Sequence, residues 1–157
     1  MTKKLLSILL ILITQQATAK SFLPLYLSIK DNTICFYIHS DARKSMNNDI
    51  LIYMGKIEKT AAFKTSYSKT YKNVHHPNNE QDCLKVPIRY FQMNKPYEVW
   101  VEADKVYKRR FCLSNESNQI QFTEVVNGYS CGGDEYDYSG KNFFENILMW
   151  LKKILSG

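Results

Sequence analysis

The chain has 157 residues, of which 45% are hydrophobic and 13% aromatic, and its formal net charge is +6. This length suits one domain with a hydrophobic core and is too short for two comfortable ones. The basic residues are scattered and form no continuous stripe within a recognisable nucleic-acid-binding module, so we do not expect a nucleic acid as partner.

The amino-terminal segment has the pattern of a secretory signal peptide. Lys3 and Lys4 precede a largely apolar run, Leu5 to Ile13, and small residues follow at Ala17 and Ala19. Such a run is about half as long as a helix needs to be to cross a bilayer. We therefore expect a signal peptide over residues 1–19, cleavage after Ala19 and export from the cytoplasm.

Four cysteines follow this segment, and an even number in an exported chain predicts two disulfides. They are Cys35, Cys83, Cys112 and Cys131. No two of them have the short spacing with which closed zinc sites begin, so a structural metal is not expected. Of the possible pairings we favour Cys35 with Cys112, because each lies in a strand-like run and the two could face each other across a sandwich.

Alternating apolar and polar residues predict two β-hairpins. The first covers Leu25 to Ile38 with its turn at Asp31-Asn32, and the second covers Tyr97 to Leu113 with its turn at Asp104-Lys105. Further strands are expected at 50–57, 60–73, 83–88 and 120–126, with an exposed loop at 74–82.

This pattern favours a mainly β protein, an antiparallel immunoglobulin-like or fibronectin-like β-sandwich over residues 20–130. The glycine and acidic residues of 131–140 predict a linker. Helical spacing of apolar residues over 141–157 predicts a C-terminal amphipathic α-helix. That helix could pack on the sandwich, dock on a partner or make a peripheral membrane contact, and packing on the sandwich is favoured.

No catalytic residue, metal ligand or cofactor site is expected from the motifs. The chain has neither a nucleophile elbow nor a metalloprotease or phosphate-loop motif. His39, His75 and His76 are its three histidines. We expect His75 and His76 to be an exposed, solvated pair and His39 to be solvated or hydrogen-bonded, rather than ligands or catalysts.

Exposed aromatic and basic side chains are the expected partner-binding groups, because aromatic residues are enriched at interfaces. These candidates are Tyr67, Tyr71, Trp100, Lys108 and Arg110. Trp100 alternates with Val99 and Val101, so it lies on the opposite face of its strand. A buried Trp100 is the more frequent case, whereas an exposed one would mark a binding surface.

Four stretches of the chain together resemble a known family. They are Leu27 to Cys35, Asp82 to Leu84, Asn94 to Val101 and Arg110 to Leu113. The resemblance is to small periplasmic type VI secretion immunity lipoproteins of Gram-negative bacteria, and it covers about Leu25 to Leu113. It implies a periplasmic, non-enzymatic protein that neutralises a secreted effector by binding and occluding it. The chain departs from the family because Ala19-Lys20 stands where the lipid-attachment cysteine is usual.

Two alternatives remain open from the sequence. One is an adhesin-like or carbohydrate-binding β-sandwich that uses the same aromatic residues. The other is a small secreted enzyme or toxin, which would depend on His39, His75 or His76. A pocket that joins one of these histidines to an aspartate or glutamate would favour the enzyme.

Overall fold

The computed structural model describes residues 22–39 and 48–140, which are mainly β. The strands are β1 Leu23–Pro24, β2 Tyr26–Lys30, β3 Thr33–Tyr37, β4 Asn48–Lys56, β5 Tyr67–Val74, β6 Leu84–Pro87, β7 Pro96–Glu102, β8 Val106–Glu116, β9 Gln119–Val126 and β10 Ser130–Glu135. A short 3-10 helix covers Ile88–Tyr90. The predicted signal peptide over 1–19 and the predicted helix over 141–157 lie outside the described residues.

The strands form two sheets that share one hydrophobic core. The larger sheet has the order β10-β9-β8-β7-β4-β5, and β1 is added parallel to β8. The smaller sheet has the order β2-β3-β6, and the other pairings in both sheets are antiparallel. Phe36 of β3 and Phe111 of β8 meet in the core with ring centroids 6.1 Å apart. The prediction of a mainly β, antiparallel protein is thus confirmed.

Both predicted hairpins are present. Asp31 and Asn32 have φ values of 48° and 58°, so both are in the left-handed conformation. A two-residue hairpin turn requires this conformation at both central positions if its twist is to match that of the strands. In the second hairpin, Val99 pairs with Arg109 and Val101 pairs with Tyr107, as the alternation predicts. The strong apolar strand β4 lies between β5 and β7, inside the larger sheet.

The chain enters β7 through a tight corner. The Tyr97 hydroxyl accepts a hydrogen bond of 2.8 Å from the backbone N–H of Gln92. Asn94 takes a φ of 56° and donates its backbone N–H to the Leu113 carbonyl at 2.7 Å. Because Tyr97 is also buried, this corner fixes the start of β7 relative to the core.

The two disulfides join Cys35 to Cys83 and Cys112 to Cys131. The predicted pairing of Cys35 with Cys112 is therefore wrong. Both residues alternate with core side chains, so each points toward the outer face of its own sheet. The two outer faces lie on opposite sides of the core, and a disulfide between them cannot form.

Each disulfide instead joins neighbouring segments at one face of the molecule. Cys83 directly precedes β6, the strand that pairs with β3, and its Cα lies 5.3 Å from that of Cys35. Cys112 and Thr123 are the paired residues of β8 and β9 that lie farthest from the turn between these strands. Strand β10 runs back along β9, and the Cα of Cys131 lies 5.8 Å from that of Cys112. Two disulfides fit an oxidising, extracytoplasmic compartment.

Residues 131–140 differ from the predicted linker. Ser130–Glu135 form the edge strand β10, in which the register shifts between Cys131 and Glu135. Glycine inside a strand often marks such an irregularity, and Gly132-Gly133 lies at this position. Tyr138 is only 5% exposed and packs its ring against Phe122 at 5.7 Å, so this segment is part of the core.

The region from 57 to 83 also differs in part from expectation. The strand predicted over 60–73 begins only at Tyr67, since residues 57–66 form no strand. The loop predicted over 74–82 is present, but His76 and Pro77 are buried in it. The Pro77 carbonyl accepts the backbone N–H of Ile38 at 2.8 Å, which ties the loop to the smaller sheet.

No helix within 22–39 or 48–140 is long and apolar enough to cross a membrane.

The disulfide connectivity makes a direct prediction. A peptide map of the unreduced protein should link Cys35 to Cys83 and Cys112 to Cys131, and a peptide that links Cys35 to Cys112 would contradict the structure.

Replacing Cys112 and Cys131 together with serine should lower the free energy of unfolding by about 3 kcal/mol, because the cross-link restricts the unfolded chain. Urea denaturation at neutral pH measures this loss.

Candidate interaction surface

Aromatic and charged side chains cluster on the outer face of the larger sheet. Val99 and Val101 of β7 point into the core, so the residues between and beside them point outward. The register places Trp100 between Tyr53 of β4 and Lys108 of β8. We call the cluster the aromatic–basic surface, and it comprises Phe22, Tyr53, Phe63, Glu98, Trp100, Glu102, Lys108 and Arg110.

Glu98 lies at the centre of this surface and is only 6% exposed. One carboxylate oxygen accepts the indole N–H of Trp100 at 3.0 Å. The other oxygen lies 2.9 Å from Lys108 Nζ and 2.5 Å from Arg110 Nε. A buried carboxylate is costly unless it is paired and hydrogen-bonded, and here three neighbouring donors meet that need.

The ionised form of Glu98 is favoured by its neighbours. Burial alone would raise the pKa of the Glu98 carboxyl, but hydrogen bonds and positive charge from Lys108 and Arg110 outweigh burial and hold the pKa below its ordinary value. Glu98 is therefore a fixed negative charge at neutral pH, around which the two cations and the indole are arranged.

Trp100 is held on three sides while part of its ring stays exposed. Its ring is nearly parallel to that of Tyr53, at a centroid distance of 6.1 Å and an angle of 6°. Phe22 meets it edge-on at 4.7 Å, and Lys108 Nζ lies 4.3 Å from its centroid. A large aromatic ring that is already fixed loses little conformational entropy when a partner covers it.

The segment before β5 extends the surface beyond β4. A side chain at Gly55 would collide with the backbone carbonyl of Lys64, so the glycine lets this segment lie close against β4. Phe63 is thereby placed beside Tyr53, with ring centroids 6.4 Å apart, and remains 43% exposed. A cleft of about 220 Å³ separates Phe63 from Arg110.

Glu102 orients the outer end of Tyr53. The Tyr53 hydroxyl donates to Glu102 Oε1 at 2.9 Å. Burial, followed by this hydrogen bond, raises the pKa of Tyr53 to about 12. Tyr53 therefore stays neutral at physiological pH and serves as an aromatic wall beside Trp100.

Three of the five predicted partner-binding residues come together here: Trp100, Lys108 and Arg110. Tyr67 and Tyr71 lie on the other face of the sheet, because they pair with the core residues Met54 and Ile50.

Both tyrosines are half-buried at the margin of the core. The Tyr71 hydroxyl donates to the Lys85 carbonyl at 2.6 Å, and the Tyr67 ring lies 4.7 Å from that of Tyr90. Their role in binding stays a prediction, and it would require a partner that reaches a second face.

Sequence reasoning missed five members of the surface: Phe22, Tyr53, Phe63, Glu98 and Glu102. A signal for Glu98 was available, since the register of the predicted hairpin places it opposite Arg110 and diagonal to Lys108. Phe22, Tyr53 and Phe63 come from segments outside the β7–β8 hairpin, and no local sequence pattern indicates that they lie beside it.

The histidines do not join this surface. His76 is 3% exposed in its side chain, and its Nε2 lies 3.1 Å from Asp104 Oδ1. The contact lacks hydrogen-bond geometry, and neither ring nitrogen has a hydrogen-bond partner among the described residues. The contact joins the 75–83 loop to the β7–β8 turn, with the imidazole buried and the Asp104 side chain 40% exposed.

His39 and His75 are both exposed, as expected, but the expected exposure of His76 is wrong, because the loop that carries it packs against the smaller sheet. His39 packs its ring against Tyr26 at 4.3 Å. Within the described ranges, no group of three or more His, Cys, Asp or Glu side chains is placed to hold a metal ion.

Comparisons of the chain with protein-family models, curated proteins and solved structures give no significant match. The arrangement of side chains on the aromatic–basic surface is therefore the main basis for a functional assignment.

The depressed pKa of Glu98 makes its contribution to stability dependent on pH. Because the pKa is lower in the folded protein than in the unfolded chain, this contribution is full above the unfolded value of about 4.3 and is lost as the pH falls through the folded value. We expect Glu98→Gln to cost about 2 kcal/mol at pH 7 and much less at pH 2.5.

Urea denaturation of wild type and variant over this pH range measures the difference. Glu102→Gln is the matched control, because Glu102 is exposed and should cost less than about 1 kcal/mol. A Glu98→Gln loss of equal size at pH 7 and pH 2.5 would contradict the role of its charge.

Proposed function

We propose that the protein is an exported, non-enzymatic binding protein that recognises a protein partner through the aromatic–basic surface. In line with the family resemblance, we propose that it is an immunity protein that neutralises a secreted effector in the periplasm by occluding it. The two disulfides support export, since they fit an oxidising compartment. The predicted signal peptide over 1–19 agrees with this location.

The observation that carries the proposal is the buried Glu98 carboxylate beneath a partly exposed Trp100. A well-packed apolar side chain at the position of Glu98 would often stabilise a fold as much as a buried ion pair does, or more. The carboxylate instead orients an indole N–H and two cations at the surface. We interpret this as a cost in stability that keeps the binding groups in a fixed geometry.

The residue types of the surface match those that contribute most to protein interfaces. Trp, Tyr and Arg dominate such hot spots, where they are typically surrounded by contacts that exclude water. Arg110 uses Nε for Glu98 and remains 46% exposed in its side chain, so its terminal nitrogens face outward for a partner carboxylate. Binding of this kind needs no catalytic group, because occlusion alone would neutralise an effector.

We also propose that the fold is an immunoglobulin-like or fibronectin-like β-sandwich. The Tyr97 hydroxyl, near the start of β7, bonds to the backbone five residues upstream, at Gln92. This resembles the tyrosine corner of those sandwiches. The two sheets with a common core are consistent with this fold.

The carbohydrate-binding alternative is favoured by one feature of the same surface. Tyr53 and Trp100 have nearly parallel rings, 6° apart, which together present an extended aromatic wall. Such a wall would suit the apolar face of a sugar ring. Binding to a glycan array that is lost in both Tyr53→Ala and Trp100→Ala would favour this alternative over the immunity role.

The immunity proposal is tested by competition between bacteria. Deleting the gene should make recipient cells sensitive to killing by parental cells, and the wild-type gene should restore survival. Trp100→Ala should fail to restore it, because loss of a central aromatic hot spot weakens binding by about 2 kcal/mol or more. Counts of surviving recipients, with immunoblots of the periplasmic fraction, give the readout.

Tyr90→Ala is the matched control, since Tyr90 is a 43% exposed aromatic residue of the 3-10 helix after β6, outside the aromatic–basic surface. It should protect as well as wild type. Equal survival of cells with and without the gene would contradict the immunity role. Full protection by Trp100→Ala at normal abundance would contradict the assignment of the binding surface.

A further inference from the structure

Strand β8 is only partly paired along one of its edges. Its first residues pair with β1 through Tyr107 and Lys108, whereas its pairing with β9 begins only at Cys112. The segment between them, Arg109 to Phe111, has neither strand beside it on this edge. A cleft of about 420 Å³ opens there, in contact with both outer-face and inner-face side chains of β8.

Arg109 is the inner-face cation of this cleft. It pairs with Val99, a fully buried residue, so its side chain starts toward the space between the sheets. Its Nε donates to the Leu25 carbonyl at 2.7 Å. The guanidinium carbon lies 5.3 Å from the Tyr138 ring and 6.0 Å from the Tyr26 ring. The backbone bond and the two rings fix the plane of the guanidinium group.

The remaining guanidinium donors of Arg109 have no carboxylate partner among the residues described. The ion pairs formed within the described ranges use His76, Lys108 and Arg110, and Lys108 and Arg110 share Glu98. Lys108 and Arg110 share one carboxylate, whereas Arg109 has none among the described residues, so Arg109 is the cation of the cleft whose charge is least compensated. Glu124, an exposed residue, contributes the one carboxylate to the cleft lining.

We propose that this cleft binds an oxyanion, a carboxylate or phosphate group, through Arg109. The planar guanidinium fork matches the two oxygens of such a group and can bind them in a bidentate manner. Tyr136 and Tyr138 line the cleft beside Arg109. Glu124 at the rim repels the anion and limits its affinity. The cleft shares Phe22, Lys108 and Arg110 with the aromatic–basic surface. The anion-binding proposal does not depend on the immunity role, because anion binding is measured on the isolated protein without a partner.

Isothermal titration of the purified protein with inorganic phosphate and, separately, with sodium acetate tests the site at fixed ionic strength. We expect saturable binding of at least one anion, with a stoichiometry of one. The phosphate and acetate arms distinguish a phosphate-like ligand from a carboxylate. Arg109→Gln should weaken binding by about tenfold or more, because it removes the fork and its charge.

Two further variants make the test specific. Glu124→Gln should tighten binding about two- to threefold by removing the repelling charge, and it should leave folding unchanged because Glu124 is exposed. Arg89→Gln is the matched control, an exposed arginine that packs over Tyr90 instead of this cleft, and it should bind as wild type does.

Absence of saturable binding of either anion by the wild-type protein would overturn the proposal. So would wild-type affinity in a folded Arg109→Gln protein, as judged by its circular dichroism. If Arg109→Gln does not fold, Glu124→Gln decides the matter: tighter binding supports the site, and unchanged or weaker binding overturns it.

Discussion

A buried carboxylate that stays ionised organises the outer face of the larger sheet. Glu98 is 6% exposed, and its two oxygens are used by an indole N–H and two cations. Removing any one of these donors would leave part of a buried charge unmatched, which is why the four side chains behave as a unit. The position of Trp100 and its contacts with Tyr53 and Phe22 depend on that unit.

The β7–β8 hairpin serves the core on one face and the candidate site on the other. Tyr97, Val99 and Val101 pack inward, while Glu98 and Trp100 alternate with them and point outward. The disulfides add constraint without entering the core, because their cysteines alternate with core residues and join segments at the outer faces. Arg109 is an exception to this pattern, since it is a charged side chain on the inner face, at the gap where β1 ends and β9 has not begun.

Local patterns predicted much of the fold, and longer-range features escaped them. The two hairpins follow from alternation and from turn residues that tolerate a positive φ, both of which are local properties. The pairing of Cys35 depends on which face of which sheet it occupies, and no local pattern contains that information. Likewise, the local sequence around Gly132-Gly133 is typical of a linker. Only the pairing of β10 with β9 shows that the two glycines belong to an irregular edge strand.

The candidate site, like the fold, was predicted only in part from the sequence. Trp100, Lys108 and Arg110 lie in one hairpin, so their common face was open to inference. Tyr53 reaches them only because β4 pairs with β7, a contact between segments more than forty residues apart in sequence. Glu98 was overlooked because a glutamate in an alternating strand is normally solvated, and its burial arises from the larger side chains gathered around it.

The most direct test of this account is the pH titration of the Trp100 indole N–H resonance by NMR. The account predicts a hydrogen-bonded signal that is constant at neutral pH and shifts only in acid, with a midpoint below the ordinary glutamate pKa of about 4.3. The same signal should lose its titration in Glu98→Gln. A midpoint at or above the ordinary value, or a titration that persists in the variant, would contradict the claim that an ionised Glu98 holds this surface together.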